Sequence, residues 1–258
     1  METVRSADGT EIAFDRAGSG APVIFVVGAF NERPTAAPVA KLLEPHFTTY
    51  TYDRRGRGDS GDTLPYSIDR EVDDLAALID AAGGSAALFG YSSGAVLALK
   101  AAARGLAVTK LALYNPPYPV DQVATQPPSD LTARLDALVS AGRRGDAVEL
   151  FQREAVGIPP QVIAQIRRAP YWPALERIAH TLVYEVTITG DATLVPELAS
   201  ITVPTLVLSG AESAPTLRSA AQSVADAVAA GRHRTLAGQT HDLVPEVLAP
   251  ILREFYTG

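Results

Sequence analysis

The chain has 258 residues, with 22 basic against 29 acidic side chains, a net charge of −7, 47% hydrophobic and 20% charged residues, and a mean hydropathy of +0.10. This composition excludes a disordered chain and leaves ample apolar material for a core. The acidic balance argues against nucleic acid or an anionic membrane as partner, because the densest cationic stretch, Arg54-Arg55-Gly56-Arg57, is closed in by Asp53 and Asp59.

Without cysteine there is no disulfide, no thiolate metal site and no cysteine nucleophile. The first residues, Met1 to Gly9, carry no apolar stretch of the kind a secretory leader needs, and no apolar run reaches the ~18 residues of a membrane span. A cytoplasmic location is expected.

Residues 3–16 read as a hairpin around Ala7-Asp8-Gly9-Thr10, and Pro22 to Val27 as a strand buried on both faces, ended by Gly28. His46 to Tyr52 is a second, more polar strand. Ser67 can cap a helix that presents Ile68, Val72, Leu75, Ile79 and Ala82 on one face, stopped by Gly83-Gly84. A short strand at Ala86–Phe89, a small-residue helix from Ser93 to Arg104 and a strand at Lys110–Tyr114 follow.

Strands alternating with helices predict a mostly parallel sheet covered on both faces. From about 119 to 200 the alternation lapses. Leu131/Leu135/Leu138 and Val162/Ile163/Ile166 suggest helices there, broken by Pro159-Pro160, Pro170 and Pro173. The pattern resumes with a strand over Pro204–Gly210, a helix carrying Leu217, Ala221, Val224 and Val228, a short strand near Arg232–Leu236, and a final helix from Pro245 to Tyr256. Pro250 is expected to kink or restart that last helix.

Gly90-Tyr91-Ser92-Ser93-Gly94 lies between a predicted strand and a predicted helix. A serine thrust out on so tight a turn holds strained backbone angles, and its neighbours two residues either side must be small. The helix N-terminus then aims N–H groups at an oxygen that gains negative charge. A serine hydroxyl needs a base to take its proton. Of the four histidines, His46, His180, His233 and His241, the last sits in a polar loop after the final strand. Such a loop leaves the sheet edge from which Ser92 also emerges, so His241 is the expected base.

With these residues in view, the chain resembles the α/β-hydrolase fold superfamily, in its bromoperoxidase/esterase-like branch, over essentially its whole length. The resemblance rests on the strand and glycine at 23–28, on Asp53 to Ser60, on the 90–94 turn, on Pro204–Gly210 and on Gly238-Gln239-Thr240-His241. It implies an eight-stranded sheet with a helical cap inserted after strand 6, so that residues 1–118 and 201–258 form the core and 119–200 the cap. It also implies Ser92 as nucleophile, His241 as base, and an oxyanion hole from the N–H groups of Ser93 and Ala29, with Phe30 as a further donor or pocket wall. Arg55 is expected to be a scaffold ion-pair former.

The third member that orients the histidine has no carboxylate in either position the resemblance offers. After strand 7 the chain reads Gly210-Ala211-Glu212-Ser213, and the expected slot falls on Ser213. After strand 6 it reads Tyr114-Asn115-Pro116-Pro117, where similar sequences carry Tyr-Glu-Pro-Pro. Three readings stay open: Glu212 reaching from one residue earlier, Asn115 orienting His241 through its amide oxygen, or another acid such as Asp242, with loss of hydrolysis in the same group.

The resemblance thus implies a serine hydrolase for a small or medium, mainly apolar ester, thioester or lactone, working through an acyl-enzyme. The alternative is a ligand-binding member with a blunted triad. Tyr91, Tyr118 and Trp172, with Phe30, are the expected pocket residues. No metal or cofactor is called for, the partner is a small-molecule substrate, and a monomer or homodimer is expected.

Overall fold

The computed structural model describes residues 1–118, 128–190 and 197–258. Its frame is one eight-stranded sheet: β1 (Glu2–Arg5), β2 (Glu11–Gly18), β3 (Ala21–Val26), β4 (Phe47–Tyr52), β5 (Ala86–Tyr91), β6 (Val108–Tyr114), β7 (Thr205–Gly210) and β8 (Gly231–Leu236). The spatial order is β1-β2-β4-β3-β5-β6-β7-β8. β2 pairs antiparallel with β1 and β4, and the remaining pairs are parallel.

The central strands are continuous apolar runs because both of their faces are covered. Their alternation still divides the core in two. Ile24, Val26, Leu88, Leu111 and Leu113 face one layer with α2 (Ile68–Ala81), α3 (Ser93–Ala103) and α9 (Pro215–Ala227). Val23, Phe25, Ala87, Phe89 and Ala112 face the other, with α1 (Ala37–Leu43) and α10 (Pro245–Thr257). As predicted, Ser67 caps α2, its hydroxyl accepting from the Arg70 N–H at 3.4 Å. Helix α1 has no counterpart among the elements predicted from the sequence, since its seven residues are too short for a periodic signal.

The final helix departs from expectation in one respect: it runs from Pro245 to Thr257 through Pro250 without a restart. Pro250 is exposed and removes only one helical bond, while Leu248, Ala249, Ile251, Leu252 and Tyr256 are buried around it. The Tyr256 hydroxyl on the Leu88 carbonyl and Lys110 Nζ on the Phe255 and Tyr256 carbonyls fix its end.

Between β6 and β7 lie α4 (Leu131–Ser140), α5 (Arg144–Phe151), α6 (Pro160–Ile166), α7 (Trp172–Arg177) and α8 (Leu182–Thr189). Pro160 and Pro173 begin helices rather than only breaking them, at first-turn positions where a missing N–H costs little. These helices share a third apolar cluster, against which Ala29 and Phe30 of the sheet domain pack. Parts of the expected cap, residues 119–127 and 191–196, fall outside the described residues.

Candidate active site

Ser92 follows β5 with φ 54° and ψ −128°. Its N–H donates to the Tyr114 carbonyl of β6 at 3.0 Å, and its own carbonyl accepts from the Ala95 N–H at 2.8 Å. The bracketing glycines are needed for space: a Cβ at Gly90 would lie 2.5 Å from Ala95 Cα, and one at Gly94 would strike the Val26 carbonyl. Among the described residues, the other non-glycine residues with positive φ are Phe30 (61°) and Asn115 (49°). They follow β3 and β6, the two strands flanking β5, so backbone strain is gathered at one edge of the sheet.

The loop after β3 faces the elbow closely: a Cβ at Gly28 would stand 2.8 Å from Ser92 Cβ. Here the structure modifies the expected oxyanion hole. The Ala29 N–H is not free but donates to Ser93 Oγ at 3.0 Å. That bond arises because Ser93, at the first helical position, is buried and turns its hydroxyl toward the β3 loop. The Phe30 N–H makes no hydrogen bond among the described residues, and the Ser93 N–H, in the first turn of α3, has no intrahelical acceptor. The Phe30 ring packs edge-on against Phe151 of α5 at 5.5 Å.

Behind this loop lies a buried ion network that sequence reasoning missed beyond Arg55. Arg54, Arg55 and Arg57 are 0%, 0% and 1% exposed. Arg54 binds Glu71 of α2 through two bonds of 2.7 and 2.8 Å and Glu185 of α8 at 2.8 Å. Arg57 also binds Glu185 and donates to the Gly28 and Asn31 carbonyls at 2.7 and 3.2 Å. Two cations thus meet two anions, and the Gly28–Asn31 turn is tied to α8. Burial and the neighbouring Arg54 lower the Arg57 pKa, opposed by Glu185. Arg55 is the scaffold residue expected, bidentate to Asp74 and paired with Asp8 at 2.9 Å. The one signal available in sequence is a run of arginines closed in by Asp53 and Asp59.

His241 lies in the loop between β8 and α10, its ring 5.1 Å from that of Tyr91, the residue preceding Ser92. Burial holds the imidazole below its ordinary pKa, with Asp242 acting in the opposite direction. Its Nδ1 is buried and has no hydrogen-bond partner among the described residues. The other histidines are elsewhere: His46 is exposed before β4, His180 stands 3.9 Å from Asp62, and His233 Nε2 is 3.0 Å from Ser209 Oγ.

Of the three readings for the residue that orients His241, the one through the Asn115 amide oxygen has no bond to support it: among the described residues Nδ1 accepts or donates none. Asn115 is 0% exposed, and its amide bridges two backbone groups: Nδ2 donates to the Thr240 carbonyl at 3.3 Å, and Oδ1 accepts from the Gly210 N–H at 3.3 Å. It joins the ends of β6 and β7 to the histidine loop, one residue short of the imidazole. Glu212 is exposed, and its N–H donates to the Gln239 carbonyl at 2.8 Å. The Asp242 carboxylate accepts from Thr240 Oγ1 at 2.9 Å.

Of the expected pocket residues, Tyr118 lies in the apolar layer shared with α2 and α3, and Trp172 in the cluster of α4–α8 with the Arg167 guanidinium 5.7 Å above its ring. Two surface grooves on α5–α7, lined among others by Arg143, Arg144, Arg167 and Glu176, contain none of the expected site residues. Among the described residues no three His, Asp or Glu side chains gather as metal ligands, and no helix is long and apolar enough to cross a membrane.

Residues 23–250 match the family described as the alpha/beta hydrolase family. An alpha/beta hydrolase from Sphaerobacter thermophilus is 53% identical, with a TM-score of 0.93 over 99% of this chain and 100% of that one. The enol-lactonase from Burkholderia xenovorans is 22% identical, with a TM-score of 0.75 over 100% of both chains, a likeness of fold. Ethanol acetyltransferase 1 of Cyberlindnera fabianii is 31% identical over 107 residues, 40% of this chain and 32% of its own length. The match therefore spans about a third of that curated relative.

Proposed function

The chain belongs to the alpha/beta hydrolase family, and from that premise we propose that it is a serine hydrolase cleaving a small or medium, mainly apolar ester, thioester or lactone through an acyl-enzyme on Ser92. The observation that carries this reading is Ser92 itself, a non-glycine residue held at φ 54° between β5 and α3. Such strain is retained where a hydroxyl must stand clear of the backbone with helix N–H groups beside it.

In the proposed sequence Ser92 Oγ attacks the carbonyl carbon while His241 Nε2 takes the hydroxyl proton. The oxyanion accepts hydrogen bonds from the Ser93 N–H and from the β3 loop, where the Phe30 N–H is available and Ala29 serves once Ser93 Oγ releases it. Collapse expels the alcohol, thiol or ring oxygen, which leaves with the proton from Nε2. Water then attacks the acyl carbonyl, gives a proton to Nε2, and the acid departs as Ser92 recovers its own. The lowered imidazole pKa keeps the base neutral for the first step. The apolar cluster of α4–α8, which reaches Ala29 and Phe30, supports an apolar acyl group.

A second reading, a ligand-binding protein with a blunted triad, draws on the unpartnered Nδ1 of His241. A serine-directed fluorophosphonate separates the two. Rapid stoichiometric labelling of the wild type, lost in Ser92→Ala, supports the hydrolase; absence of labelling at high reagent supports the binder.

A further inference from the structure

Ser213 is 5% exposed, and its hydroxyl has no hydrogen-bond partner among the described residues. It closes the turn after β7, its N–H donating to the Gly210 carbonyl at 3.1 Å. This turn lies directly on the histidine loop. Glu212 N–H binds the Gln239 carbonyl at 2.8 Å, Asn115 bridges Gly210 N–H to the Thr240 carbonyl, and a side chain at Gly210 would collide with the Gln239 and Thr240 carbonyls. Two orphan polar groups, Ser213 Oγ and His241 Nδ1, are therefore buried on two loops packed against each other. Buried polar groups in native proteins are paired, directly or through an enclosed water.

Among the described residues no competing group bonds Nδ1. The Asn115 amide bridges two backbone groups, the Asp242 carboxylate accepts from Thr240 Oγ1, and Glu212 is exposed. Resting on the serine hydrolase reading above, we infer that Ser213 is the positioning residue of His241, its hydroxyl accepting from an enclosed water that in turn accepts the Nδ1–H, so that a serine stands where a carboxylate would otherwise hold the base.

This pairing fixes the ring with Nε2 bare toward Ser92. A hydroxyl can also donate, however, so it enforces the tautomer less strictly than a carboxylate, and it adds no charge to stabilise imidazolium. The titratable groups around the imidazole are Asp242 in its own loop, Tyr91 from β5, Tyr114 from β6, whose hydroxyl binds the Thr240 carbonyl, and Glu212 from the β7 turn. Each of these residues is retained in the variants at position 213.

The test compares Ser213→Ala, Ser213→Thr and Ser213→Asp in the full chain, with melting curves to verify folding. kcat and KM for p-nitrophenyl acetate are followed against pH, with the fluorophosphonate labelling rate of Ser92 and the ¹⁵N imidazole shifts of His241. Ser213→Ala should lower kcat and labelling on the order of tenfold with KM unchanged, as for loss of one hydrogen bond, and reduce the Nδ1–H tautomer. Ser213→Thr should restore both. Ser213→Asp should raise plateau kcat by about 10–10² and move the acid limb to higher pH. Wild-type rates and shifts in Ser213→Ala, or an unmoved acid limb in a folded Ser213→Asp, would overturn the inference. Should wild-type Ser92 prove unreactive, the hydrolase reading fails separately, and the His241 shifts alone still decide whether Ser213 is its partner.

Discussion

The two halves of the candidate site are built to different standards. On the nucleophile side, the elbow is pinned to β6, the β3 loop is fastened by Ser93 Oγ and Arg57, and buried cations and anions balance behind it. On the base side, the histidine loop is held to the sheet chiefly through its backbone: Tyr114 and Asn115 grip the Thr240 carbonyl, while Nδ1 of His241 and Oγ of Ser213 have no direct partner among the described residues. The difference teaches that this fold over-determines where Ser92 stands and leaves the orientation of His241 to fewer contacts. The nucleophile side has to bear backbone strain, and strain persists only where surroundings enforce it.

The largest effect should come from removing the nucleophile: Ser92→Ala should cut ester turnover by on the order of 10⁴–10⁶ with an unchanged melting temperature. Turnover retained in pure Ser92→Ala protein would mean that the well-built half is not where the chemistry occurs. His241→Ala should cost a similar factor, and the double variant should be little worse than either, because the pair acts as a unit.

Next in size is the ion network. Glu185→Gln leaves Arg54 and Arg57 short of one anion in a site with almost no water access. A loss of about 3–5 kcal/mol in unfolding free energy is expected, read by denaturant titration. A loss below 1 kcal/mol would show that the nucleophile side owes its rigidity to packing instead.

Smaller still is Asn115→Asp. The exchange replaces a donor to the Thr240 carbonyl by a carboxylate oxygen, so it should destabilise by about 1–3 kcal/mol without raising kcat. A rise in kcat would place Asn115 within reach of the imidazole after all and narrow the contrast between the halves.

The smallest effect is a position on the pH axis. Burial lowers the His241 pKa despite Asp242, so the base stays neutral further into acid than an ordinary imidazole. kcat/KM for an activated ester should be level at neutral pH and fall only below about 6.5. An acid limb above that value would indicate a carboxylate partner for the ring.

Much of this was legible in the sequence. Continuous apolar strands, the capped amphipathic helix from Ser67 and the Gly90–Gly94 bracket each depend on near neighbours in the chain, and near neighbours determine period, capping and steric room. Those features specified a parallel sheet, its elements and the residue that leaves it at the elbow. They also singled out His241 among four histidines, because a loop after the last strand can open only at that edge.

What only the tertiary structure decided are pairings between residues far apart in the chain. Arg57 and Glu185 are 128 positions apart, Asn115 and Thr240 125, and Ala29 and Ser93 64. Composition cannot reveal that Arg54 and Arg57 are buried, since arginine is normally exposed and is buried only beside a partner delivered by another element. Nor can the identity of Asn115 say which way its amide turns: a near-isostere of aspartate is free to serve the backbone, and here the convergence of β6, β7 and the histidine loop supplies one carbonyl and one N–H that match it.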